Sequence, residues 1–253
     1  MMRTPVVGYS LFVLTQDIFG FCTQAATHPA AFGEPGGDVT LAVLARVSQW
    51  TFIMFLAILP IFRLPVIRKS DHMWPRFVAL TAVALIPMFM LLERAPAHLT
   101  FNSASVLISL VANMMSVVTV SFLGRSLSVM PEARRLVTSG PYAVVRHPLY
   151  LCEILGVIAM ILQYRSAAAI SLFTVIIGVQ TLRARAEDAV LARVFPEFSS
   201  YRAHTPFLVP ADPARFLMVF IIDPIARRRS LLVMGGTVAA SALAQSVLPS
   251  LMR

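Results

Sequence analysis

The sequence predicts an all-α, polytopic integral membrane protein with about six to seven transmembrane helices. Three observations lead there. Hydrophobic residues make up 58% of the 253-residue chain and charged residues only 13%, where a soluble domain carries about 25% charge. Mean hydropathy is +0.78, and the apolar residues come in runs mostly long enough to cross a bilayer as helix. The basic residues gather in the connectors between those runs, which is how a membrane protein fixes its orientation.

The elements follow in order. Val6–Cys22 is a first apolar run, short for a span and interrupted by Gln16 and Asp17. Its polar interruption and the lack of a cleavage-site pattern favour a transmembrane helix over a signal peptide. Ala25–Thr40, with His28-Pro29 and Glu34-Pro35-Gly36-Gly37, reads as a loop. Val43–Phe62 is a second span, with Arg46 placed to reach the interface. Arg63–Arg76 is a basic connector. Phe77–Leu92 and Phe101–Leu123 are the third and fourth spans. Leu149–Leu162 and Ala167–Leu182 form a hairpin turning at Gln163-Tyr164-Arg165-Ser166, and its second arm runs on into a charged helix to about Val194. A short amphipathic piece leads through Tyr201 to Pro210, and Arg227-Arg228-Arg229 precede a last apolar run, Leu231–Leu251, as a span or an interfacial helix. Three divisions result: membrane helices over 1–123, a core over 124–210, and a tail over 211–253.

With the amino terminus inside, the cytoplasmic segments 1–5, 63–76, 124–148 and 183–230 hold 1, 4, 4 and 8 basic residues, 17 of the 21 in the chain. That split predicts a multi-pass protein of the cell inner membrane, with segments 124–148 and 183–194 both on the cytoplasmic side. The net charge of +9 is spread through loops rather than gathered on one soluble face, which argues against nucleic acid as a partner. Two cysteines, Cys22 and Cys152, cannot build a disulfide framework or a metal cluster, and the topology sets them near opposite faces.

The chemistry concentrates in Leu136–Tyr150, which reads Leu-Val-Thr-Ser-Gly-Pro-Tyr-Ala-Val-Val-Arg-His-Pro-Leu-Tyr. Ser139-Gly140-Pro141 forces a turn. Pro148 disfavours the α conformation at His147, so the loop stays open until a helix begins at or just after that proline. The second segment is Arg183-Ala-Arg185-Ala-Glu187-Asp188, where Arg183 and Glu187 share a helix face with Cβ atoms about 6 Å apart. On that helix alone, Arg183 and Arg185 read as interface anchors and Glu187 as a solvated partner. His147 on its own reads as structural.

Together, Leu-Val-Thr-Ser-Gly-Pro-Tyr142, Arg146-His147-Pro148-x-Tyr150, an apolar hairpin, Arg183-x-x-x-Glu187-Asp188-x-x-Leu191, Phe195 and Tyr201 resemble the isoprenylcysteine carboxyl methyltransferase family. More broadly they resemble membrane methyltransferases that include the phospholipid N-methyltransferases. The resemblance covers about residues 124–210. It implies a cytoplasm-facing pocket for S-adenosylmethionine between the loop and the charged helix. Leu136 and Val137, with Arg134 and Arg135, would offer backbone groups to the adenosine; Tyr142, His147, Pro148, Leu149 and Tyr150 would line the pocket. Glu187 would meet the cationic end of the donor, and Arg183 would act as the catalytic residue facing a lipid or lipidated acceptor, a carboxylate being favoured. Cys152 stands where the family usually has glycine, Asp188 replaces a second glutamate, and Pro196 and Phe198 replace a glycine and a tyrosine. Methyl transfer to an ionised acceptor needs positioning and exclusion of water more than proton transfer, which suits a site without a nucleophile–base pair. The competing expectations are a membrane transporter, which would put its polar residues at mid-membrane, and a lipid-binding scaffold held by its arginines. Asp17 is the main mid-membrane candidate.

Overall fold

The computed structural model describes residues 3–27, 37–71, 73–96 and 99–251. Among the described residues there are nine helices: α1 (Arg3–Thr27), α2 (Gly37–Ile58), α3 (Met73–Leu85), α4 (Leu99–Leu123), α5 (Pro148–Tyr164), α6 (Ala167–Ala192), α7 (Phe198–His204), α8 (Pro213–Ile222) and α9 (Pro224–Leu251). The chain is an all-α membrane protein. Among the described residues, three stretches are long and apolar enough to cross a bilayer, Val43–Phe62, Thr100–Ser126 and Ala167–Ala192, while Met73–Phe89, Pro148–Tyr164 and Pro213–Ile222 are shorter apolar helices. Both α1 and α9 are long, and neither is among the three. The expected loop at 25–40 is narrower than its sequence suggested, since α1 runs to Thr27 and α2 starts at Gly37. Its centre, with His28-Pro29 and Glu34-Pro35-Gly36, lies outside the described residues.

Proline shapes several of these ends. Its missing N–H removes a helical hydrogen bond, and α2 and α3 each tighten into a 3-10 turn, at Leu59–Phe62 around Pro60 and at Ile86–Leu91 around Pro87. Pro148 opens α5 as expected, with His147 in a non-helical conformation ahead of it. At the hairpin tip, Arg165 turns left-handed (φ 38°), and the Ser166 hydroxyl caps α6 by accepting from the Ala169 N–H at 3.1 Å.

The central helix is α4, flanked by α5, α2 and α9, while α3 packs along α6. Phe89, fully buried against Tyr164 at 5.6 Å between ring centroids, anchors the second grouping together with Val157 and Ile176. A further core joins Met115, Val118 and Phe122 of α4 to Tyr142 and Val145 of the loop and to Phe216 and Phe220 of α8. Large apolar side chains face outward on several helices, Phe19 at 71% and Ile221 at 62% exposure among them, as a lipid-facing surface requires.

Two features go beyond the sequence reading. The tail after 210 holds α8, which the sequence reading passed over, and α9 begins at Pro224 rather than Leu231. Both start at an Asp-Pro pair: Asp212 Oδ1 accepts from the Ala214 and Arg215 N–H groups at 2.9 and 3.1 Å, and Asp223 Oδ1 accepts from Ala226 at 2.8 Å. Second, the 63–76 connector makes a two-residue antiparallel ribbon, pairing Arg68 with Ala133 and Lys69 with Glu132. Hydrogen bonds from Leu64 N to Arg125 O and from Ile67 N to Ala133 O, both 2.9 Å, extend it. The ribbon fastens the connector beneath the loop that carries the site.

Candidate active site

The loop wall is built on Gly140. Its φ of +61° lies in the left-handed region, and a Cβ there would fall within 3.0 Å of three Phe122 ring carbons, so glycine is needed on both counts. The 3-10 turn Gly140–Ala143 that follows buries Tyr142. The Tyr142 carbonyl accepts the Tyr201 hydroxyl at 2.6 Å, while the Tyr142 hydroxyl is buried without a partner. Burial, and then the charge of Glu187, push the Tyr142 pKa well up. Burial also raises Tyr201 against the opposing pull of Arg146. Both phenols therefore remain hydrogen-bond donors around neutral pH.

Beyond the turn, Arg146 and His147 project toward α6. The His147 Nε2 lies 2.9 Å from Asp188 Oδ1, and Arg146 Nη1 lies 3.5 Å from Asp188 Oδ2 without completing a hydrogen bond. The His147 ring stacks on Tyr150 at 5.4 Å with 9° between planes. The Tyr150 hydroxyl donates to Glu187 Oε2 at 2.8 Å. The Arg183 guanidinium sits 4.8 Å over the Tyr150 ring and donates from Nη2 to the Val129 carbonyl at 3.2 Å, leaving its buried Nε unpartnered. The intrahelical pairing of Arg183 with Glu187 is thus replaced by contacts across to α5. Tyr150, in the first turn of α5, contacts both side chains, its hydroxyl on Glu187 and its ring under Arg183.

These groups line one cleft enclosing about 750 Å³, its open mouth included. Arg135, Leu136 and Val137 form part of its wall, as do Tyr142, His147, Leu149, Tyr150, Arg183 and Glu187. Pro148 is the exception among the expected residues: it is buried at the start of α5 and not on the cleft surface. Arg146, Asp188, Phe198 and Tyr201 also line the cleft, although the sequence reading gave them no contact with a ligand. Arg146 and Asp188 were within reach of that reading, since both belong to the quoted motifs. Arg134, expected beside Arg135, is on the wall and pairs at 2.6 Å with Glu132; Glu132 is there because the ribbon brings it, and no local pattern announces that.

The phospholipid methyltransferase family model matches residues 98–197. The cobalt-zinc-cadmium resistance protein CzcN of Cupriavidus metallidurans is 40% identical over 76 residues, 30% of this chain and 35% of that protein. The nickel-cobalt-cadmium resistance protein NccN of Alcaligenes xylosoxydans xylosoxydans is 38% identical over 82 residues, 31% of this chain and 38% of that protein. The chain thus matches little more than a third of the length of either relative. The segment that holds the loop, the α5–α6 hairpin and the acidic pair is similar to the phospholipid methyltransferases.

Proposed function

We propose that the protein moves a methyl group from S-adenosylmethionine to a lipid or lipidated acceptor, a carboxylate being favoured, at a site facing the cytoplasm from the inner membrane. The likeness to phospholipid methyltransferases supports membrane methyltransfer in general. The observation that carries the finer reading is a stock of buried, unpartnered donors in a cleft that also holds two acids: Tyr142 Oη, Arg146 Nε and Arg183 Nε beside Glu187 and Asp188. Each bare donor costs about 1–3 kcal/mol, which a ligand carrying both acceptors and a cation relieves. S-adenosylmethionine has that pattern, so the residues present fit it.

When bound, the donor supplies an electrophilic methyl on a sulfonium, flanked by an ammonium and a carboxylate. Glu187, oriented by the Tyr150 hydroxyl, holds the ammonium. Arg146 and Tyr142 supply donors to the carboxylate, and the wall at Arg135, Leu136 and Val137 receives the adenosine. His147 and Tyr150 line the cleft beside the positive sulfur. Leu149 helps exclude water, and Pro148 sets the angle at which α5 leaves the loop. Arg183, held over the Tyr150 ring, keeps Nε for an acceptor carboxylate, which is already ionised at neutral pH and needs no general base.

The test is calorimetric binding of S-adenosylmethionine to the purified protein in detergent. Saturable one-to-one binding is expected; its absence would leave the transporter and scaffold readings in possession. Orientation has its own test. Single cysteines at Ser199, beyond one end of the α6 span, and at Ala167, the first residue at its other end, should be labelled from the cytoplasm and from the opposite side respectively. Labelling of both from one side would reject the topology.

A further inference from the structure

We infer that Phe207, which lies beyond the family-matched stretch and does not line the cleft, is a positioning residue for the amino-acid end of the donor, acting through Arg146 and His147. This rests on the donor reading above. Three contacts carry it. The Phe207 ring meets His147 edge to face at 5.2 Å and 75°, and the Arg146 guanidinium lies 5.3 Å from the Phe207 ring centroid. The backbone beside it is tied to the same loop, since the Arg146 N–H donates to the Pro206 carbonyl at 2.9 Å. Upstream, Tyr201 ties the segment to the Tyr142 carbonyl at 2.6 Å.

The need for such a support is visible in Arg146 itself. Its side chain is 9% exposed, its ion pair with Asp188 is loose at 3.5 Å, and its Nε has no acceptor. A long side chain so weakly held would lose considerable rotamer freedom on taking up a ligand. The face of Phe207 attracts the guanidinium and restricts it beforehand. His147 is held by the same ring: with Tyr150 stacked on one face and Phe207 against it, the imidazole keeps the plane that aims Nε2 at Asp188. The ring thus orders the two cationic-side groups of the site without touching what they bind.

A purely architectural role would affect every ligand of the cleft alike, and the proposed one would not. Binding of S-adenosylmethionine and of 5′-methylthioadenosine, which lacks the amino-acid end and the sulfonium charge, is measured by calorimetry on the full chain in detergent. S-adenosylhomocysteine, a neutral thioether that keeps the amino-acid end, is expected to follow S-adenosylmethionine. Phe207→Ala is expected to weaken S-adenosylmethionine about ten-fold, as for a desolvated cation–π contact, and to change 5′-methylthioadenosine by less than about two-fold. Phe207→Leu keeps apolar bulk without the ring face and should follow the alanine variant for S-adenosylmethionine, while Phe207→Tyr should restore it; the leucine variant carries the test if the alanine variant does not fold. Equal losses for both ligands, or no loss for either, would overturn the proposal. Wild-type protein that binds neither ligand would overturn the donor reading, and this inference with it, before any variant is compared.

Discussion

The stretch that matches the family and the segments on either side of it divide the site between them in a consistent way. Residues 98–197 supply nearly all the charged and aromatic groups of the cleft: Arg146, His147, Tyr150, Arg183, Glu187 and Asp188. The flanks supply what holds those groups still. The Leu64 carbonyl takes the Arg134 guanidinium, the Pro206 carbonyl takes the Arg146 N–H, Tyr201 takes the Tyr142 carbonyl, and Phe216 and Phe220 back the turn that carries Tyr142. The matched stretch carries the likeness to methyltransferases, and the flanks supply contacts that pack its loop.

The largest expected effect comes inside the matched stretch, at the turn that Phe216 and Phe220 back. Gly140→Ala should lower stability by about 2–4 kcal/mol, because the new methyl clashes with Phe122 in a conformation alanine resists. Thermal unfolding in detergent measures it, and an unchanged midpoint would mean that the turn relaxes freely. Within the matched stretch, Glu187→Ala and His147→Ala should each weaken S-adenosylmethionine by roughly 1–3 kcal/mol with the fold intact. Parent-like binding by both would misplace the pocket. Arg183→Lys comes next: the flat guanidinium on Tyr150 has no ammonium equivalent, so transfer should fall about ten-fold, or ~1.4 kcal/mol, while donor affinity holds. Parent-like transfer would reduce Arg183 to an anchor. The smallest effect belongs to the flank, where Tyr201→Phe removes one hydrogen bond and should cost about 1 kcal/mol of stability. A loss of donor affinity larger than that for Glu187→Ala would blur the division between the two regions.

The elements legible in the sequence were those with local signals. Apolar runs located most of the helices, Pro148 placed the start of α5, and Gln163–Ser166 placed the hairpin tip. The unbroken pattern after Leu182 correctly carried α6 into its charged end. The α8–α9 elbow had a signal as well, in Asp212-Pro213 and Asp223-Pro224, but the arginines between the apolar stretches masked it. The cleft was legible as a set of residues and much less so as a set of contacts. Helical spacing joined Glu187 to Arg183, whereas the partner that won, Tyr150, sits 37 positions away on another helix. The links from Tyr201 to Tyr142 and from Phe207 to His147 are set by tertiary packing, which periodicity does not encode.

Arg229 gives the tail a further consequence. Its guanidinium lies 4.3 Å over the Phe122 ring and donates to Ser121 Oγ at 3.0 Å, gripping the ring against which Gly140 turns. Chains emerge from the ribosome amino terminus first, and the earlier parts of a protein generally fold first. The turn that carries Tyr142 therefore lacks Phe216, Phe220 and the Arg229 clamp until those residues have been made. During synthesis the side chains that line the cleft are made before the residues that pack against their turn, so the turn gains its full packing only after Arg229 has been added.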